Sequence, residues 1–222
     1  MKASINQLLL LILFLGIYFN SHADHLIGGD LSYTCVGSNV YQVNLTVYRN
    51  CNSTNQNLDA DANFTVYNAL TRTIVKQFNI ALVSQTLIPN PPSTPCFRAP
   101  SQSEVCVELL IYQGTVSLPA STTGYILAYQ RCCRNPVISN LFNVSQVGST
   151  LTIDVPPSTI ATCNSSPAFN SSAPNFLCIN SLENINFSAS DANGDHLVYS
   201  LCAPKQGADF DDPKPTTASR PP

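Results

Sequence analysis

The run with the clearest chemical potential is Asp191-Ala-Asn-Gly-Asp195. Side-chain oxygens of Asp191, Asn193 and Asp195, at alternate positions around a glycine turn, can converge on a hard cation, and Ca²⁺ is the expected ion because it takes oxygen ligands. The run is not an EF-hand: Gly194 falls at its fourth position rather than the sixth, and Cys202 stands at the twelfth. A plain hairpin turn competes with the metal reading, since Asn-Gly is the favoured type I′ pair and a full calcium site needs about six to eight oxygens. Asp209, Asp211 and Asp212 lie in a loose-looking tail and are expected to be solvated rather than to add ligands.

A second chemical candidate is Arg131-Cys132-Cys133-Arg134. Flanking arginines lower a thiol pKa, but thiol exchange usually uses Cys-x-x-Cys at a helix start, and these cysteines end a strand-like run. Structural stapling is the expected role. For hydrolysis, neither Gly-x-Ser-x-Gly nor His-Glu-x-x-His occurs. Glu104 and Glu108 flank a strand with nothing to mark either as a catalytic acid. Beyond the leader, the histidines are His25 and His196. With no acid, base and nucleophile set to name, the chain is expected not to be an enzyme, and no cofactor beyond that Ca²⁺ is expected.

The element that must position the cysteine pair is the run from Gly124 to Pro136. β-Branched and aromatic residues dominate its first half. Tyr125, Leu127 and Tyr129 fall on one face, Ile126 and Ala128 on the other, so the strand should lie mid-sheet and be covered on both sides. Successive strand side chains point to opposite faces. Cys132 and Cys133 are therefore expected to bond different segments, with Cys51 one candidate partner; a vicinal bridge is the strained alternative.

Around this strand the period-two pattern repeats. Leu31 to Val36 and Tyr41 to Tyr48 form a first hairpin through Gly37-Ser38-Asn39, with Cys35 and Cys51 expected near its open end. Phe64 to Tyr67 and Ile74 to Leu82 form a second. Prolines 89, 91, 92, 95 and 100 exclude helix and central strand from 87–103, and a local bridge between Cys96 and Cys106 should fasten that loop. Strands then follow over 105–118 and 149–155, ahead of Pro156-Pro157. With about seven strands in roughly 130 residues, the prediction is an antiparallel β-sandwich. It is not an antibody-type domain, because the chain lacks Trp and Tyr129 stands three residues before Cys132 rather than two.

Residues 1–23 read as a secretory signal peptide: Lys2, an apolar run from Leu8 to Phe19, and Ser21-His22-Ala23 as a cleavage site. That run is short for a bilayer span, so no membrane span is expected after cleavage. The expected organisation is a Cys-rich β-sandwich over 24–157, a linker over 158–175, and the start of a second, immunoglobulin-like or PKD-like β-domain over 176–202. That start consists of strands at 176–179, 185–188 and 196–201. A disordered or truncated tail covers 203–222. The net charge of −3 leaves no footprint for nucleic acid. Export to an oxidising compartment makes disulfides the default for Cys35, Cys51, Cys96, Cys106, Cys132, Cys133, Cys163, Cys178 and Cys202, and the odd count leaves one thiol for another partner. Sequons begin at Asn44, Asn52, Asn63, Asn143, Asn164, Asn170 and Asn186; in a chain this rich in Asn, Ser and Thr, chance is the simpler account.

Five stretches together carry a resemblance: His25-Leu-Ile-Gly-Gly-Asp-Leu-Ser-Tyr-Thr-Cys35, Val47-Tyr-Arg-Asn-Cys51, Tyr129-Gln-Arg-Cys-Cys-Arg-Asn135, Cys163-Asn-Ser-Ser-Pro167, and Asp191 through Cys202. The chain resembles the N-terminal region of large secreted surface proteins of Bacteroidetes. Such proteins typically continue into PKD-like or other immunoglobulin-like repeats and often end in a gliding-motility-associated, type IX secretion sorting domain. The resemblance implies a secreted, cell-surface structural or adhesion protein, of which this chain is the N-terminal part. It implies no active site. The alternative is an extracellular carbohydrate-binding module, with Tyr48, Tyr112, Tyr125 and Tyr129 as a stacking platform. Expected partners are an extracellular glycan or a surface protein.

Overall fold

The computed structural model describes residues 26–52, 59–93, 98–101, 104–170, 177, 180, 182 and 184–218. The expected signal peptide, Cys96, Cys178 and most of the strand expected at 176–179 lie outside these residues.

The protein is all-β. Seven antiparallel strands form one sheet: β1 (Leu26–Gly37), β2 (Val40–Asn50), β3 (Asp61–Asn68), β4 (Ile74–Ile88), β5 (Val107–Ser117), β6 (Tyr125–Arg131) and β7 (Ser149–Val155). Their spatial order is β1-β2-β5-β4-β3-β6-β7. The alternation read from Tyr41 to Tyr48 is realised along β2, where Tyr41, Val43, Leu45 and Val47 are buried and the residues between them are half-exposed.

The 15-residue strand β4 links the two halves of the sheet. It pairs with β3 from Ile74 to Ala81 and with β5 from Ala81 to Ile88. Its register with β5 shifts between Leu82 and Ser84, where Val83 is turned out to solvent. A bulge bends a strand and increases its twist, and the sheet folds across this one. One continuous core results, filled from both halves: Val43 and Leu45 of β2 and Leu110 and Tyr112 of β5 meet Phe64 and Val66 of β3 and Leu127 and Tyr129 of β6. Phe64 stacks on Phe78 with centroids 5.2 Å apart, and Tyr33 meets Tyr41 edge-on at 5.4 Å. The outermost strands β1 and β7 come together at a seam.

Strand β6 is buried along its whole length. As expected, Tyr125, Leu127 and Tyr129 enter the core while Ile126 and Ala128 face the other way. It lies one place in from the β7 edge rather than at the centre of the sheet. Its second face is covered by the segment expected to be a disordered tail. Residues 203–218 form a strap across β7, β6, β3 and β4. Thr150 N donates to Lys205 O (3.1 Å) and Cys132 N to Pro213 O (2.9 Å). Gln77 Nε2 donates to Thr216 O (2.7 Å), Ala218 N to Thr65 Oγ1 (2.9 Å) and Tyr67 Oη to Ala218 O (2.9 Å). Ala218 completes a small apolar cluster with Tyr67, Ile126 and Ala128. The approach is close enough to require glycine. A Cβ on Gly148 would sit 2.1 Å from Gly207 O, and one on Gly207 would sit 2.2 Å from Gln130 Nε2.

The 158–175 region is also held to the sheet over part of its length. Tyr33 N donates to Ser166 Oγ, Ser166 N to Tyr33 O, and Cys35 N to Ser165 Oγ. This segment covers part of the β1 edge as the strap covers part of the β7 edge, which satisfies strand groups that would otherwise template pairing with another chain. Beyond it, the segments 185–188 and 196–201 carry no strand. In their place a two-residue ladder pairs β8 (Ala168–Phe169) with β9 (Ala189–Ser190). Phe169, Phe187, Val198, Tyr199 and Leu201 stand exposed: apolar residues without a core of their own form no extended sheet.

Candidate functional site

The disulfides correct three expectations. Cys35 bonds Cys163, Cys51 bonds Cys106, and Cys132 bonds Cys133. Cys106 therefore reaches back to the end of β2 rather than closing the proline-rich loop on Cys96. Cys51 N also donates to Cys106 O (3.1 Å), so backbone and side chains join at the same point. Cys35 sits near the turn of the β1–β2 hairpin, opposite Tyr41, and not at its open end. Cys132 and Cys133 take each other instead of separate segments. The extended geometry stops at Arg131: the peptide joining the two cysteines is cis, and their Cα atoms are 3.0 Å apart. Among the described residues the free cysteine is Cys202, which is exposed.

The Arg-Cys-Cys-Arg run is a junction of three segments. Both cysteines are almost fully buried beneath Ala208 of the strap. Leu26 N donates to Cys133 O (2.8 Å) and Asn135 N to Leu26 O (3.1 Å), which fixes the start of β1. Arg134 N donates to Val147 O (3.0 Å), which fixes the approach to β7. The two guanidinium groups diverge. Arg131 pairs through Nε with Asp59 Oδ2 (2.7 Å) and donates from Nη1 to Pro213 O (2.9 Å). Arg134 donates from Nε to Gly148 O (3.1 Å) and from Nη2 to Lys205 O (2.9 Å). The two arginines thus hold the strap at two points, Lys205 and Pro213. Lys214 continues this pattern with an ion pair to Asp61 (2.7 Å), and its ammonium holds the Asp61 carboxyl below the usual aspartate range.

Asp191, Asn193 and Asp195 are brought to one turn, and two of them already serve as hydrogen-bond acceptors. Asp191 Oδ1 accepts from Asn193 N (2.8 Å) and Asp195 N (3.0 Å). Asn193 Oδ1 accepts from Ser165 N (2.7 Å) and its Nδ2 donates to Cys163 O (3.3 Å). The loop therefore clamps the segment next to the Cys35–Cys163 bond. Asp191 Oδ2 is buried without a hydrogen-bond partner. Among the described residues no group of three or more His, Cys, Asp or Glu side chains is placed to hold a metal.

The four tyrosines expected as a platform do not share a surface. Tyr112, Tyr125 and Tyr129 are buried, and Tyr48 is half-buried. The hydroxyl of Tyr112 donates to Asp59 O and that of Tyr125 to Pro119 O. The carboxylates weighed for catalysis are engaged as well. Glu108 pairs with Arg49 (2.7 Å) and accepts from Gln85. Glu104 accepts from Ser101 N and Oγ and pairs with Arg98; the Ser101 bonds come first in holding its pKa down.

At the β1–β7 seam, beside the arginine–cysteine junction, lies a cleft of about 150 Å³. Ile27, Val47, Tyr129, Ile138 and Leu151 form its apolar wall, and Arg134 lines it too. Sequence patterns mark Tyr129 and Arg134 for other roles but do not bring these residues together as a site, although Gly28-Gly29 inside an otherwise strand-like run marks a close backbone approach. A Cβ on Gly29 would sit 2.5 Å from Thr46 O and 3.1 Å from Leu151 Cδ1. Glycine there lets β1 pack near β7. Asp59, Pro213 and Lys214 were likewise not singled out, because no periodic signal marks a loop carboxylate that meets a distant tail.

Compared with known proteins, the chain matches no family model, no curated protein and no solved structure.

Proposed function

We propose that this protein is a secreted, cell-surface structural and adhesive domain, the N-terminal part of a longer repeat protein of the kind its Arg-Cys-Cys-Arg and neighbouring motifs resemble. Its work is to hold and to bind rather than to catalyse. The observation that carries this reading is where the charged side chains are used. Arg131 and Asp59, Lys214 and Asp61, and Arg49 and Glu108 join segments far apart in sequence; the Cys51–Cys106 bond reinforces the last of these joints, and Cys35–Cys163 adds another. Reactive groups committed to fastening suit a load-bearing module in an oxidising environment. The carbohydrate-module alternative loses its support, because three of its four tyrosines are core residues.

Export with the native leader in a Bacteroidetes host tests the location. The chain should begin at Asp24, label with a membrane-impermeant amine reagent, and confer attachment when displayed on beads. Retention inside the cell overturns the secreted reading. Hydrolytic turnover lost in Glu108→Gln, with the fold retained, overturns the non-catalytic one.

A further inference from the structure

The cleft at the β1–β7 seam combines an apolar wall with one cation that has no described counter-charge. Arg134 makes its side-chain hydrogen bonds to backbone carbonyls, those of Gly148 and Lys205. No carboxylate among the described residues pairs with it. Burial lowers the pKa of its guanidinium from the ordinary value, as a cation removed from water requires. A cation partly withdrawn from water gains from an anion placed beside it. The two carbonyls fix the plane of the group, so a ligand would meet an oriented donor instead of ordering a free side chain.

We propose that this cleft binds a small apolar body ending in a carboxylate, with Ile27, Val47, Ile138 and Leu151 around the body and the Arg134 guanidinium facing the carboxylate. The volume suits roughly six to eight carbon atoms, given that a dry cavity of about 150 Å³ accommodates benzene. Two sources present this chemistry: a free short-chain carboxylic acid, and the C-terminal residue of a peptide chain ending in leucine or isoleucine. The proposal is independent of the adhesive reading above.

The test uses the oxidised mature chain and amide-resolved NMR titration. Hexanoate should shift the amides of Leu26 to Gly29, Ile138 and Leu151 in a saturable way. Hexanol at the same concentrations should bind at least tenfold more weakly, because it lacks the anion. Ile138→Glu supplies the control for the wall: Ile138 lines the cleft and is half-buried, so the substitution puts a like charge where the ligand would lie. It should abolish the hexanoate shifts with the rest of the spectrum retained. Arg134→Gln should reduce hexanoate affinity at least tenfold and bring it level with hexanol. N-acetyl-glycyl-leucine assigns the source: tighter binding than hexanoate points to a peptide C-terminus, weaker binding to a free acid. Equal binding of hexanoate and hexanol to the native chain, no saturable shift at these amides, or unchanged hexanoate binding in Ile138→Glu each overturns the proposal.

Discussion

Replacing Ile126 with alanine measures whether the strap covers the sheet. Ile126 is 5% exposed, on the face of β6 that looks away from the main core, and its cover comes from Ala218 of the strap beside Tyr67 and Ala128. Ile→Ala in a closed core costs about 2–5 kcal/mol. Two of its three cluster neighbours are alanines, so fewer contacts are lost and the lower part of that range applies, about 2–3 kcal/mol. For a domain of this size that corresponds to a fall of roughly 5–10 °C in Tm. Were the strap absent from this face, Ile126 would lie on an open strand surface, where such a change costs within about 1 kcal/mol. Urea unfolding of the oxidised protein distinguishes the two. Repeating the pair in a chain ending at Cys202 isolates the strap: there the same substitution should cost less than about 1 kcal/mol. As a check that does not depend on truncation, Ala218→Glu places a charge at an 8% exposed position and should lower stability by a comparable amount. A cost below about 1 kcal/mol for Ile126→Ala in the full chain refutes the covered face.

Non-reducing peptide mapping should recover the pairs 35–163, 51–106 and 132–133; a peptide linking Cys132 or Cys133 to Cys51 contradicts the junction described here. Chain-entropy scaling gives about 4 kcal/mol for the loop closed by Cys51–Cys106 and about 5 kcal/mol for that closed by Cys35–Cys163, so the unfolding midpoint should drop sharply in excess dithiothreitol. Arg49 is 4% exposed and paired with Glu108, and truncating one partner of a buried pair costs about 3–5 kcal/mol; Arg49→Ala should destabilise on that scale by urea unfolding, and a loss under about 1 kcal/mol argues against the buried pair. Lys214 depresses the Asp61 pKa in the folded state, so this contact stabilises above the ordinary aspartate pKa and is lost as pH falls through the depressed value; urea midpoints between about pH 5 and 2 should fall less steeply in Asp61→Asn, by a small margin because the side chain is 38% exposed.

The strands were legible because their period survives in the residues themselves. Tyr41, Val43, Leu45 and Val47 alternate in sequence and in burial, and the two apolar faces of β6 correctly implied cover on both sides. The covering layer was illegible for a physical reason. The strap docks largely through backbone carbonyls at Lys205, Pro213 and Thr216, a pair of facing glycines, and two alanines, Ala208 and Ala218. Carbonyls are common to every residue and leave no pattern, so the Pro-, Asp- and Thr-rich composition read as disorder. The cysteine partners failed for a different reason. Side-chain alternation holds only while the backbone stays extended, and it changes course at the residue where it was used to separate Cys132 from Cys133. In 176–202 the apolar spacing was read as strands, but strands also need neighbours to bond with, and the described part of that segment has only the β8–β9 ladder.

The Cys35–Cys163 bond also determines how the protein would carry tension. A pull transmitted along the chain enters β1, crosses from Cys35 directly to Cys163, and bypasses the 127 residues of sequence between them. About 430 Å of contour length, at roughly 3.4 Å per residue, is thereby withheld from extension, and β2 to β7 stay folded off the line of force. The strap contains no cysteine, so it peels from the sheet one hydrogen bond at a time. A tether built this way yields first in its non-covalent outer layer and then stops short, with its core intact.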